Sequence, residues 1–471
     1  MAATFFSFRK NSFTGTVAGI ILFFFALVAI AAVQTIAITI VNELKNQVDE
    51  LSLSGTGSMY PTFPKGIAKT PKEQARETVA TPKVYRYPDG IYFLNRLFLH
   101  HPIARGDIVV FKNKVTEEIT LKQYDRSASL VKRVIGLPGE TVEIKNGFVL
   151  INSKPIDEPY IAQARSTYGG DFLPDCKPLQ IPENKLFVMG DNRKGSGDSR
   201  HDVGFVDISD VHHFIPLQKQ KGALDKSWRD TTKDLTNESK IKLDKQKYLG
   251  LLNEERIKTK ARPLKYNPRL EKSAQARGVN MLQFDDFSYE ATRSGLTYSK
   301  AITAQGFYHH ATGESHPRGY YSAEELIENQ LEFPESKKFF LDPNYESVGI
   351  AEVEGFANSC PTQVIVLHFA GYVPPNYKQE VIDSWKNALL DLKRIQPLLD
   401  SFKQGPRYEK NKSDLDRYAD IVNLRISRIE QIIARMEKNE WLTATEEKYV
   451  SEDESLGNEQ SAIVDRVNRN P

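Results

Sequence analysis

A chain of 471 residues is too long for one ordinary core, so two or three domains are expected. Its 63 basic and 61 acidic residues leave a formal charge of +2, which gives no support to a nucleic-acid-binding role. The two cysteines, Cys176 and Cys360, lie far apart and no CxxC or Cys/His cluster exists, so neither a structural zinc site nor a disulfide framework is expected. Whether these two cysteines pair is left open by the sequence.

From Asn11 to Asn42 no residue is charged, and Val17 to Val33 is apolar throughout apart from Gly19. Crossing a bilayer takes about 20 apolar residues, and the run reaches that length with Ile36 to Val41. A cleaved signal peptide would have an apolar stretch of about 7–15 residues followed by a small-residue cleavage site; this one is longer and reads as a retained anchor. Arg9 and Lys10 precede it, while Glu43, Lys45, Asp49 and Glu50 follow. The positive-inside rule places residues 1–12 in the cytoplasm, 13–42 in the membrane and the remainder outside.

Residues 43–216 contain short β-type runs at Asp107–Lys112, Leu130–Ile135, Thr141–Ile151 and Leu186–Met189, punctuated by turn residues such as Asn146-Gly147. The stretch from Lys65 to about Val84 lacks periodicity and reads as an exposed insertion. Residues 217–245 are polar and charged, a linker with some helix. A mixed α and β region, 246–375, has an amphipathic helix over 268–283 and strands at Ser347–Val353 and Gln363–Tyr372. In 376–450, apolar residues at three-and-four spacing give one helix over Gln379–Ser401, kinked before Pro397, and another from Leu415 to Met436, separated by Gln404-Gly405-Pro406. A helical hairpin is expected, with a coiled-coil dimerisation arm as the alternative. The final stretch, 451–471, is acidic and then polar, and is expected to be disordered.

Three strings carry chemistry. In SGTGSMYPT, residues 54–62, Ser58 sits on a Gly- and Pro-constrained, non-helical backbone of the kind an exposed nucleophile needs, although a Ser there is commonly just a turn residue. In LVKRVIGLPGETVEI, residues 130–144, Lys132 lies among Val131, Val134 and Ile135. It is either an outward-facing lysine alternating with core residues or a buried one. At an ordinary pKa of about 10.4, only about one lysine in 2,500 is neutral at pH 7. Desolvation lowers that pKa and makes the amine a usable base, the partner in a Ser-Lys variant of nucleophilic catalysis. The third string, GDNRKGSGDSR at residues 190–200, sets Asp191, Arg193, Asp198 and Arg200 around Ser196 and Ser199 directly after an apolar strand.

Together the strings resemble the type I signal peptidase family, whose boxes match Ser58–Thr62, Arg105–Lys112, Lys132–Glu140 and Gly190–Arg200 in the family's order. The resemblance covers about residues 14–216. It implies a mostly-β catalytic domain in which Ser58 is the nucleophile, Lys132 the general base and Ser196 a hydrogen-bonding group that orients the amine. The Ser58 N–H and the Thr56 hydroxyl would hold the oxyanion. Asp198 and Arg200 would form a supporting ion pair, and Met59 and Pro61 would shape the groove. The implied partners are membrane lipid and the signal peptides of exported preproteins, cut after small residues of the Ala-X-Ala type. No metal and no cofactor is implied. The insertion at Lys65–Val84 departs from the family's spacing and bears on access or substrate choice.

The string LGLLNEERIKTKARPLKYNPRLEKSAQARGVNML, residues 249–282, with DPNYESVGIAEV and TQVIVLHFAGYV after it, resembles the CAP superfamily of cysteine-rich secretory and pathogenesis-related proteins. That resemblance implies an α-β-α sandwich outside the cell. Members often hold a metal in a cleft with two histidines; here Phe287-Ser288-Tyr289 stands where the first is usual, and His309, His310 and His316 cluster with Glu314. A cell-wall or lipid ligand is the expectation for this region. The fold class is therefore multidomain: a transmembrane helix, a mostly-β peptidase-like domain, a CAP-like α+β domain and a helical hairpin. Two rivals remain. A catalytically silent scaffold acting through the CAP-like half needs none of Ser58, Lys132 and Ser196. An external adhesion or wall-binding protein would have the CAP-like half as its main function; a self-cleaving repressor shares the Ser-Lys pair but needs a DNA-binding domain in place of an anchor and is set aside.

Overall fold

The computed structural model describes residues 12–45, 47–68, 70–93 and 96–469; Arg9 and Lys10, on which the orientation of the anchor rests, lie outside them. The apolar run forms one helix, Ser12–Lys45. Its Gly19–Asn42 segment is 24 residues long, about 36 Å at 1.5 Å per residue, enough to cross a hydrocarbon layer of about 30 Å. The chain divides into two compact units, one running to Gly306 and including Thr312–Ala370, the other formed by Phe307–Ala311 and Gly371–Pro471.

In the first unit, seven antiparallel strands form the main sheet of the N-terminal region, in the order Val48–Glu50, Lys83–Arg86, Val211–Ile215, Ile108–Phe111, Leu130–Gly136, Lys185–Met189, Val206–Asp207. Its central strands bury both faces, as their near-continuous Val, Ile and Phe content requires. The lysine strand runs between Ile108–Phe111, with Val109 opposite Lys132, and Lys185–Met189, with Met189 opposite Arg133. A smaller four-stranded sheet contains the Thr141–Lys145 and Phe148–Ile151 hairpin, and Asn146 and Gly147 at its tip both have positive φ, as the two-residue turn demands. The insertion is not structureless. Thr70 caps a short helix, Pro71–Gln74, and Thr78–Ala80 pairs with Leu53–Ser54 just before the Ser58 loop.

The CAP-like region is built on the long hairpin Ser347–Ala357 and Cys360–Tyr372, with Lys265–Tyr266 parallel to the first strand. Alternation along the hairpin sorts its side chains. Val348, Ile350, Leu367 and Phe369 pack with Tyr248, Leu252 and Leu326. Ala351, Val353, Val364 and Val366 pack with Ala274, Met281 and Leu282 of the helix Pro268–Phe284. Cys176 of the N-terminal region and Cys360 are joined as a disulfide, which settles the pairing.

The second unit contains three long helices, Gln379–Phe402, Pro406–Glu437 and Ala444–Arg469. Pro397 sits inside the first, which continues to Phe402. Residues 451–469, expected to be disordered, belong to the third helix. The acidic residues that suggested disorder have partners on the middle helix: Arg417 meets Glu459, Arg425 meets Asp453 and Arg428 meets Glu452, each within 2.9 Å. Ile463 is buried as well. Composition alone could not see that match.

Candidate active site

The Ser58 loop follows the strand Leu53–Ser54 and turns at Gly57, where φ is +74°. Two groups of the 190–200 loop clamp it: the Asn192 N–H donates to the Ser58 carbonyl at 3.1 Å, and Asn192 Nδ2 donates to the Gly57 carbonyl at 3.2 Å. Gly190 packs so closely against the Ser58 carbonyl and the Ser196 hydroxyl that a side chain there would collide with both.

Lys132 is 2% exposed, and its Nζ donates to Ser58 Oγ at 2.9 Å. Burial pushes the amine down from 10.5 to about 8, partly opposed by the charges of Asp198 and Asp191. Asp198 is held at about 2: burial pushes it up, but the charge and hydrogen bond of Arg200 outweigh that. Arg200 binds it through two nitrogens, Nε at 2.9 Å and Nη2 at 2.8 Å. The Arg200 charge beside Asp198 offsets part of the pull that this carboxylate exerts on the Lys132 proton.

A cleft of about 700 Å³ opens over the pair, and Thr56, Ser58, Met59, Lys132 and Ser196 all line it. Ser196 departs from expectation. Its Oγ is buried and makes no hydrogen bond among the described residues, so the expected bond to the Lys132 amine is not formed in this state. The amine's short contact is to Ser58 instead. Pro61 also departs, standing outside the cleft lining while Phe63 and Pro64 take part in it. The insertion supplies Pro71, Gln74 and Glu77 to the cleft lining.

One buried pair was not singled out from sequence. Arg133, the residue after the lysine, is fully buried and binds Asp191 through Nε at 2.8 Å and Nη2 at 2.7 Å. It also donates to the Gly106 carbonyl and to Gln220 Oε1, and its guanidinium lies 3.9 Å from the centre of the Tyr160 ring. Thr62 Oγ1 completes the knot by donating to Asp191 at 2.5 Å. The lysine strand, the end of the serine box and the 190–200 loop are thereby tied behind the cleft. The available signal was a second cationic residue, beside Lys132, in a strand otherwise made of Leu, Val, Ile and Gly.

A second cleft, of about 520 Å³, opens onto Glu314 in the CAP-like region. Glu314 Oε2 lies 3.0 Å from His368 Nε2 and 3.2 Å from Arg277 Nε, and its Oε1 lies 3.2 Å from His316 Nδ1. His316 therefore keeps its expected place near Glu314, whereas His309 stacks on Trp441, with ring centres 4.1 Å apart, and His310 contacts the Tyr308 carbonyl. His368 takes the place expected for them. A lone imidazole in the apolar string VIVLHFAG was the signal.

Comparison with known proteins bears on both regions. The family described as signal peptidase, peptidase S26, matches residues 19–214. Signal peptidase I P of Bacillus subtilis subsp. natto is 38% identical over 142 residues, covering 27% of this chain and 71% of that protein. The chain belongs to the signal peptidase I family. Signal peptidase I S of Bacillus subtilis (strain 168) is 45% identical over 104 residues, 21% of this chain and half of its own length. The cysteine-rich secretory protein family matches residues 249–369, so the chain also carries a CAP domain. Among solved structures, a signal peptidase I from Enterococcus faecalis V583 aligns with 29% identity, 25% of this chain, 98% of that chain and a TM-score of 0.20. A cysteine-rich secretory protein from Staphylococcus aureus subsp. aureus Mu50 aligns with 10% identity, 61% of this chain, 82% of that chain and a TM-score of 0.23.

Truncating one partner of a fully desolvated ion pair strands the other charge, at a cost of about 3–5 kcal/mol. Arg133→Ala is expected to lower unfolding stability by that amount, measured by urea denaturation, although Arg133 does not touch Ser58.

Proposed function

We propose that the chain is a membrane-anchored signal peptidase I that cuts exported preproteins after small residues, using Ser58 as nucleophile and Lys132 as general base. The observation that carries this is the desolvated Lys132 amine 2.9 Å from the Ser58 hydroxyl in an open cleft. Ser58 Oγ attacks the scissile carbonyl carbon while its proton passes to neutral Lys132 Nζ. The Ser58 N–H and the Thr56 hydroxyl hold the oxyanion, a kind of contact worth about 3–4 kcal/mol of barrier. Collapse of the tetrahedral intermediate breaks the peptide bond, and the leaving amine takes the proton from Lys132. Water, deprotonated by the same amine, then hydrolyses the acyl-serine ester. Ser196 takes up a hydrogen bond from the amine once substrate engages Ser58, since catalytic hydrogen bonds often tighten only in the complex. The Asp198–Arg200 pair holds the site, Met59 shapes the groove floor and Pro61 shapes the loop.

The anchor places the N-terminus in the cytoplasm and both large regions outside, where the Cys176–Cys360 disulfide is chemically at home. There the cleft meets the outer end of a signal peptide at the bilayer surface. In finer architecture, the CAP domain is an α-β-α sandwich that takes a cell-wall or lipid ligand, and the first two tail helices form a hairpin.

Cleavage of a preprotein with an Ala-X-Ala site, assayed in detergent, is expected for the wild type, with Ser58→Ala and Lys132→Ala each slower by about a thousandfold or more. Folded wild-type protein that leaves the site uncut would move the weight to a silent scaffold.

In the wild type, kcat/KM is expected to rise about tenfold per pH unit up to about pH 8 and then level off, because only the neutral amine accepts the serine proton. A plateau reached by pH 6 would contradict the assignment of Lys132.

The same depressed pKa destabilises the fold: the unfolded lysine is protonated up to 10.5, the folded one only to about 8. The penalty is full below pH 8 and fades toward 10.5, so Lys132→Met is expected to be more stable at pH 7 by about 3 kcal/mol. That gain should shrink as pH rises from 8 to 10.5 in a urea melt series.

A further inference from the structure

The peptidase cleft is not walled by the peptidase domain alone. Glu332 and Phe333, in the turn between the CAP helices Ala323–Gln330 and Pro334–Phe340, line the same cleft as Ser58 and Lys132. Building on the peptidase reading, we propose that Phe333 is a specificity-determining residue of this cleft. It would bind an apolar side chain of the preprotein at a position beyond the small residues at the cut.

The wall is fastened to both catalytic loops. Lys65, whose stem packs against Gly57 immediately before the nucleophile, reaches Glu328 at 3.0 Å and Glu332 at 3.8 Å. Lys194, two residues before Ser196, reaches Glu325 at 2.8 Å and lies 3.7 Å from the centre of the Tyr321 ring. Asn329 Nδ2 donates to the Lys194 carbonyl at 3.3 Å. One CAP helix is thus tied to the loop that carries the serine and to the loop that carries Ser196, and the Cys176–Cys360 bridge adds a covalent tie between the two domains.

The chemistry of the wall selects its ligand. Lys65 stands between Glu328 and Glu332, so the turn does not present a free carboxylate pair to a basic substrate. Phe333 remains 48% exposed, a large apolar surface at the rim of a cleft whose floor is apolar at Met59 and Phe63. An extended substrate lying over Ser58 passes this ring with residues on one side of the cut. Burying an apolar side chain against it lowers KM without altering the geometry of the serine and lysine.

The test uses full-length protein in detergent and ten-residue peptides bearing one Ala-X-Ala cut, with a single leucine walked through the other positions and serine as its replacement. Wild type is expected to prefer leucine over serine at one position by about tenfold in KM. Phe333→Ala should erase that preference, Phe333→Leu should restore most of it, and Phe356→Ala should keep it whole, since Phe356 is an exposed CAP phenylalanine outside the cleft lining. Ser58-dependent cleavage with no leucine preference, or with a preference that survives Phe333→Ala, overturns the wall proposal and leaves the peptidase reading standing. Absence of Ser58-dependent cleavage of every peptide overturns the peptidase reading and this proposal with it.

Discussion

Lys132 has to be stripped of water and yet not be offered an uncompensated negative charge, and most of the N-terminal region is arranged around that requirement. Two carboxylates, Asp191 and Asp198, approach the amine, and either alone would favour its charged form. Each is held by its own arginine, Arg133 and Arg200, at hydrogen-bonding distance and almost wholly out of solvent. The strand that carries Lys132 also carries Arg133, so the partner of one of these carboxylates is the amine's immediate neighbour in sequence. Through Asp191 and Thr62, the same arginine sets where the serine box ends. Chemistry in front of the sheet and rigidity behind it are two outputs of one dipeptide.

Much of this was legible in the sequence because the informative residues come in short contiguous strings, each placed by a strand or turn with a clear local signal. Ser58, Lys132 and the 190–200 loop needed only an antiparallel sheet to bring them together. The Asn146-Gly147 hairpin and the helix at 268–284 were legible for the same reason: period and turn chemistry are local properties. What stayed hidden depends on partners distant in sequence. Ser196 is in its expected place, but its hydroxyl lacks the bond expected of it, a matter of ångströms that no pattern encodes. The tail after residue 451 is acidic by composition, and only its match to Arg417, Arg425 and Arg428 turns that acidity into a docked helix face.

The CAP domain shows the opposite balance. Its core alternation was readable, yet of the three histidines expected around Glu314 only His316 is there, and His368 was missed because three imidazoles in one stretch outweighed a single one in an apolar strand. His368 is buried, touches Ser273 at 2.7 Å and Glu314 at 3.0 Å, and is held below its ordinary pKa by burial. Glu314 is drawn down to about 2, burial being outweighed by its two histidine contacts. As in the peptidase domain, a buried carboxylate persists where a cationic side chain, here Arg277, shares it.

The bridge between Cys176 and Cys360 spans 184 residues and so closes most of the chain's middle into a covalent ring. Inside that ring lie the 190–200 loop, the whole polar stretch 217–245 and the CAP turn that bears Glu332; outside it lie Ser58 and Lys132. A backbone cut anywhere within the ring opens a loop but releases no fragment. The polar stretch could be nicked by a neighbouring protease, and the two domains would still travel as a single covalent molecule.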